Sequence, residues 1–183
     1  MNFPKAILKC GAATLCAVTL ASCSGQGFLA PSAPDLNKQF TLTAHVTSGD
    51  SDFTADFTRS NTGKWQVTLT EPYEVQGVTF TYSAGKASAG YGDLTADALT
   101  ADFAASPPGL IISAFEDTVQ DSAASTAYQK DTYMVRSGSC TLTFAQDSGA
   151  PILMELPNLK AEISDFKITG DILPEKSDVI IVE

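Results

Sequence analysis

Apolar and polar residues alternate with a period of two along most of this chain. In QFTLTAHVT (39–47), Phe40, Leu42, Ala44 and Val46 fall on one side, with threonines and His45 between them. SDFTADFTRS (51–60) sets Phe53, Ala55 and Phe57 against Asp52, Thr54, Asp56 and Thr58. GKWQVTLT aligns Trp65, Val67 and Leu69, and GVTFTYS aligns Val78, Phe80 and Tyr82. Alternation rich in Thr, Val and aromatic residues predicts antiparallel strands with one buried and one wet face. SGD (48–50) and SNTG (60–63) are turn sequences between them, and SAGK (83–86) reads as a hairpin turn. KASAGYGDL predicts a further short strand, broken by glycines.

The pattern changes at Asp93–Ala105, which is alanine-rich and has no clean alternation. Ser106 can cap a helix, Pro107 and Pro108 fit a first turn, and Leu110, Ile111, Ala114, Phe115 and Val119 recur at helical spacing. One amphipathic helix is expected there, and DSAASTAYQKD (121–131) reads as a polar loop. Alternation then returns. Tyr133 and Val135, Leu142 and Phe144, and Ile152, Met154 and Leu156 each line a face, with a tight turn at Asp147-Ser148-Gly149. Ile163 and then Phe166 and Ile168 continue the sheet, and the tail PEKSDVIIVE is acidic around an apolar centre. Strands, a helical interruption and more strands predict a mainly β, α+β domain.

The amino-terminal residues follow other rules. Lys5 and Lys9 precede a short apolar run, CGAATLCAVTL, which is shorter than the ~20 residues a membrane-spanning helix needs. Leu20-Ala21-Ser22-Cys23 resembles the bacterial lipobox at all four positions. That resemblance implies cleavage before Cys23, a thioether-linked diacylglycerol on its sulfur and acylation of the new amino terminus; two or more acyl chains hold a membrane stably where one does not. The expected organisation is a leader over 1–22, a lipidated cysteine with a Gly/Ser/Ala/Pro tether over 23–36, and a folded domain over 37–183. The expected location is extracytoplasmic, lipid-anchored to the cell membrane, or to the outer membrane where there is one. Cys10 and Cys16 leave with the leader, so Cys140 is the sole thiol of the domain and no internal disulfide can form. It reads as a small buried residue of the strand SCTLTF.

Charge narrows the partners. Without Lys5 and Lys9 the chain keeps 9 basic side chains against 21 acidic ones. Such a balance repels nucleic acid and anionic head groups, so attachment is expected to come from the lipid rather than from a basic patch.

The common catalytic arrangements are mostly excluded. His45 is the one histidine and sits mid-strand among threonines; G-x-S-x-G, C-x-x-C and H-E-x-x-H are absent. Asp50, Asp52 and Asp56, and Asp93, Asp97 and Asp102, lack the glycine and distal Glu of an EF-hand and read as solvated acids. Gly85-Lys86 is followed by Ala87 and lacks the first glycine of a phosphate loop. Paired carboxylates of a wall-degrading hydrolase stay open as a third, weaker reading. The expectation is a non-enzyme with no cofactor and no metal.

The run WQVTLTEPYEVQGVTFTY (65–82) is similar to the strand–Pro–x–x–x–x–Gly–strand core of LolA-like, outer-membrane-lipoprotein-sorting-like domains. The preceding DFTADFTRSNTGKW and the later SGAPILMEL, with its Gly-x-Pro hairpin strand, extend the likeness over roughly Asn37–Gly170. The resemblance implies a half-open β-barrel, a strongly curved antiparallel sheet around one or two helices. In such domains the concavity carries or shields acyl chains, and in a clostridial spore-germination lipoprotein the fold serves a protein partner. The soluble carrier of the family is not itself lipidated, whereas this chain has its own lipobox, which favours a tethered receiver, binder or regulator. No counterpart of the carrier's basic substrate residue stands out.

Two functions follow. The first is a membrane-tethered binder of a lipid or other apolar ligand, with Phe53, Phe57, Trp65, Val67, Leu69, Val78, Phe80 and Tyr82 facing the cavity and Leu110, Ile111 and Phe115 closing it. The second is a module for an envelope protein partner with no small ligand. The same side chains would also fill a dry core.

Overall fold

The computed structural model describes residues 35–97 and 100–169. The segments expected to be leader and tether, Cys23 and the tail PEKSDVIIVE lie outside the described residues.

The alternating runs form the strands they predict. β1 (Phe40–Ser48), β2 (Ser51–Arg59), β3 (Trp65–Glu71), β4 (Thr79–Ser83), β5 (Lys86–Tyr91) and β6 (Leu94–Asp97) are followed by α1 (Thr100–Ala105) and α2 (Pro107–Gln120). β7 (Ser125–Tyr128), β8 (Thr132–Ser137), β9 (Cys140–Ala145), β10 (Pro151–Leu156) and β11 (Leu159–Ile168) complete the chain order. All eleven strands join one antiparallel sheet in the order β6-β5-β4-β3-β2-β1-β11-β10-β9-β8-β7. The sheet is an open, strongly curved half-barrel around the two helices.

Three irregularities help it curve, because an extra residue in one strand bends it and increases its twist. Ile152 is the extra residue between the pairs Pro151–Phe144 and Leu153–Thr143. Thr70 is extra between Glu71–Thr54 and Leu69–Ala55. In β11 the partners skip from Ser164–Thr43 to Lys167–Thr41, with Asp165 at a left-handed φ of 51°. That bulge explains why the inward apolar positions move from Ile163 to Phe166.

Two expectations are corrected. The polar stretch 121–131 contains β7, whose four residues are all exposed; it is a strand through pairing with β8, not through burial of an apolar face. The face Ile152–Met154–Leu156 is broken, because the bulge turns Ile152 out to 38% exposure while Met154 is fully buried.

The SAGK turn forms as expected, with Ser83 paired to Lys86 and positive φ at both central residues, 48° at Ala84 and 75° at Gly85. This is the type I′ hairpin, which Asn-Gly fits better than Ala-Gly. Placing an L-alanine in the left-handed region costs about 1 kcal/mol, so Ala84→Asn should raise unfolding stability by up to that amount in a urea titration. An unchanged or lowered midpoint would show that the turn is not under this strain.

Candidate functional site

The concave face divides into a filled part and an open part. In the filled part, Phe40, Phe57, Trp65 and Val67 are fully buried and pack beneath Ile111, Ile112 and Phe115 of α2. Phe40 meets Trp65 edge-on at 5.4 Å between ring centres, and Phe115 lies 5.7 Å from Phe40 and 5.8 Å from Trp65. Ser106 caps α2 by accepting the Gly109 N–H at 3.4 Å, and its hydroxyl donates to the Phe103 carbonyl at 2.6 Å.

An ion pair is built into this core. Arg59 donates from Nε to Glu116 Oε1 at 2.7 Å and from Nη2 to Oε2 at 3.2 Å. Trp65 Nε1 donates to the same Oε1 at 2.7 Å, and Arg59 also reaches the Asn37 carbonyl at 2.8 Å. Burial raises the Glu116 pKa, but the hydrogen bonds from Arg59 and Trp65, with the guanidinium charge, outweigh it and hold the carboxyl below its ordinary value. Arg59 and Glu116 were not foreseen, although Arg59 continues the inward sequence of Phe53, Ala55 and Phe57.

In the open part, α1 lays Phe103 over Phe80 and Tyr82, at 5.4 and 5.9 Å between ring centres. Phe53, Leu69 and Val78 are only half-buried. Two further residues share this face. Ala87 and Ala89 oppose Tyr82 and Phe80, so the next inward position of β5 is Tyr91, which pairs with Leu94. Tyr91 is 58% and Leu94 73% exposed. They extend an uncovered apolar strip to the sheet edge, and the glycines around them hid it from the alternation argument.

The expected site residues therefore separate. Phe57, Trp65, Val67, Ile111 and Phe115 lie in the packed part. Phe53, Leu69, Val78, Phe80 and Tyr82 line the open part. Leu110 joins neither: at 100° per residue it points roughly opposite the stripe of Pro108, Ile111, Ile112, Phe115 and Val119, and it is 39% exposed. It borders a cleft of about 580 Å³ between α2 and β8–β10, together with Asp117, Asp121, Ser137 and Cys140. There the Ser137 hydroxyl at 2.7 Å, and then the Ala123 N–H at 2.8 Å, hold the Asp121 carboxyl below its usual range. Cys140 is a free thiol, 5% exposed, whose pKa burial pushes up.

The threonines, His45 and the acids of β1 and β2 stay on the convex face. His45 Nε2 lies 2.8 Å from Asp52, and the Thr43 hydroxyl donates to Asp56 at 2.7 Å. Among the described residues no three His, Cys, Asp or Glu side chains are placed to hold a metal, and no helix is long and apolar enough to cross a membrane.

No protein-family model matches the chain, and no curated protein sequence matches it. Solved structures are similar to the chain, three of them at 8–13% identity being the following. An uncharacterized conserved protein from Thermus thermophilus aligns at 8% identity and a TM-score of 0.46, covering 74% of this chain and 81% of its own. The Mycobacterium tuberculosis lipoprotein LppX aligns at 13% identity and 0.38, covering 72% and 90%. A LolA superfamily protein from Nitrosomonas europaea aligns at 8% identity and 0.34, covering 73% and 87%.

Proposed function

We propose that this protein is an extracytoplasmic lipoprotein, anchored through Cys23, that binds a lipid or other apolar ligand along the open part of its concave face. The observation that carries the reading is the uncovered strip formed by Phe53, Leu69, Val78, Tyr91 and Leu94. Covering apolar surface yields roughly 25 cal/mol per Å², so a strip that no described residue covers is a surface on which an acyl chain can gain affinity. The packed part beneath α2 is the wall of the site rather than its interior.

The test uses the chain from Ser24 onward, purified without Cys23 and examined by native mass spectrometry before and after lipid extraction. One apolar molecule per chain is expected, and the extracted protein should bind a fluorescent fatty acid. Leu94→Asp combined with Val78→Asp should weaken that binding at least tenfold, because each carboxylate must be desolvated by the incoming chain. A ligand-free protein that ignores the probe defeats this reading and leaves the envelope protein partner.

A further inference from the structure

The six strands β1–β6 are charge-polarised along their length, which the net charge of the chain conceals. Their antiparallel order puts the turns 49–50, 72–78 and 92–93 at one end, and the turns 60–64 and 84–85 at the other with the chain entry at Asp35. The far end carries Asp50, Asp52, Glu71, Glu74 and Asp93, and no Lys or Arg stands in its three turns. The entry end carries exposed Lys38, Lys64 and Lys86 alongside Asp35 and Asp97; on the adjoining β11, Lys167 and Asp165 both lie toward this end and Lys160, opposite Thr47, toward the other. Lys38, Lys64, Lys86 and Lys167 belong to no ion pair among the described residues, whose pairs are His45–Asp52, Arg59–Glu116 and Lys160–Glu162.

Two of the lysines are held side by side. Trp65 pairs with Tyr82 and Ser83 with Lys86, so Lys64 and Lys86 flank Ser83 in neighbouring strands. At about 4.8 Å per strand their backbones stand about 10 Å apart. They border a cleft of about 710 Å³ lined by the hydroxyls of Thr81, Ser83, Ser88 and Thr100 and by one carboxylate, Asp97, which pairs with Ser88 across β5 and β6. Two ammonium groups and a row of hydroxyl donors against that single carboxylate leave a net positive surface for phosphate oxygens. The acids of the far end lie about seven residues along the strand, about 23 Å away. That exceeds the screening length of about 8 Å at physiological salt, so the overall negative charge does not cancel the local one.

We propose that this entry end docks on an anionic phospholipid surface and turns the acid-ringed far end, with the open strip beside it, away from the bilayer. The fold starts at this end, at Asp35, where the segment running back to Cys23 joins it. The inference draws on the tether reading for that geometry alone. It revises the expectation that no basic patch assists attachment.

The test uses the processed chain from residue 23 with Cys23→Ser, so that no lipid is attached and a failure of lipidation cannot affect the result. Sedimentation with phosphatidylglycerol vesicles should exceed that with phosphatidylcholine vesicles, and the excess should vanish at about 0.5 M salt, where charges are screened within a few ångströms. Each lysine near an anionic surface is worth about fivefold, so Lys64→Gln with Lys86→Gln should weaken phosphatidylglycerol binding about 25-fold. Lys130→Gln with Arg136→Gln makes the same change in net charge elsewhere and should alter binding less than twofold. Equal losses in the two double variants, or no preference for phosphatidylglycerol, would overturn the proposal.

Discussion

Gly109→Ala should destabilise the protein by about 4 kcal/mol, although alanine is ordinarily the better helix residue by roughly 1 kcal/mol. A methyl group on Gly109 would stand 2.0 Å from the Phe103 carbonyl oxygen, 2.8 Å from its carbon and 3.0 Å from the Ala104 Cα. All three are backbone atoms, so no side-chain rotation relieves the overlap. The last turn of α1 must move away from the first turn of α2, and it takes Phe103 with it. Phe103 is 4% exposed and covers Phe80 and Tyr82, so the shift also lengthens the open strip. Urea denaturation gives the stability loss, and amide exchange should show α1 losing protection before the sheet. A variant as stable as the parent would mean that the two helices are not held at this distance.

The second large effect is expected at Arg59. Arg59→Met should cost about 3 kcal/mol, because it strips the part-buried Glu116 of its cation and leaves it the Trp65 indole N–H as its remaining partner among the described residues. Pairing Arg59→Met with Glu116→Leu should recover most of that loss, since an apolar pair of similar volume leaves no unpaired charge. The same pair makes stability depend on pH. The Glu116 carboxyl is held below its ordinary value of 4.5, so its contribution is complete above that value and fades as the pH falls through the lower folded value. The double variant should lack this component of the acid unfolding curve. If Arg59→Met alone proved harmless, the pair would be a passenger in the core.

How much was legible in the sequence depended on which rule governed each segment. Phe40, Leu42, Ala44 and Val46 fell on the inward face because a period-two pattern admits only one register when one face is buried. The parity change from Ile163 to Phe166 was visible as well, and the bulge at Asp165 is its cause. Ile152 carried no such mark: its bulge comes from pairing with β9, which no local pattern reports. Leu110 and Ile112 are equally apolar neighbours, and only the rotation of α2 against the sheet separates the exposed one from the buried one. β6 and β7 escaped because edge strands are made by pairing alone, and their residues are exposed on both faces. Tyr91 and Leu94, which complete the open strip, were lost because Gly90 and Gly92 interrupt the alternation around them.

One consequence concerns the order of assembly. β1 lies between β2 and β11, so the first strand of the sheet finds one of its partners only in the last: Thr41 pairs with Lys167 and Val46 with Ala161. For a chain delivered across a membrane amino end first, as the proposed lipoprotein route requires, the β1–β6 meander can form while the rest is still arriving. The two halves of the sheet cannot be joined until β11 is through. Contacts of such long sequence separation make folding slow, and they leave the outer edge of β1 unpaired in the interval. A domain of this topology is thus open longest at the seam beside its own entry strand, where an export chaperone would have the most to hold.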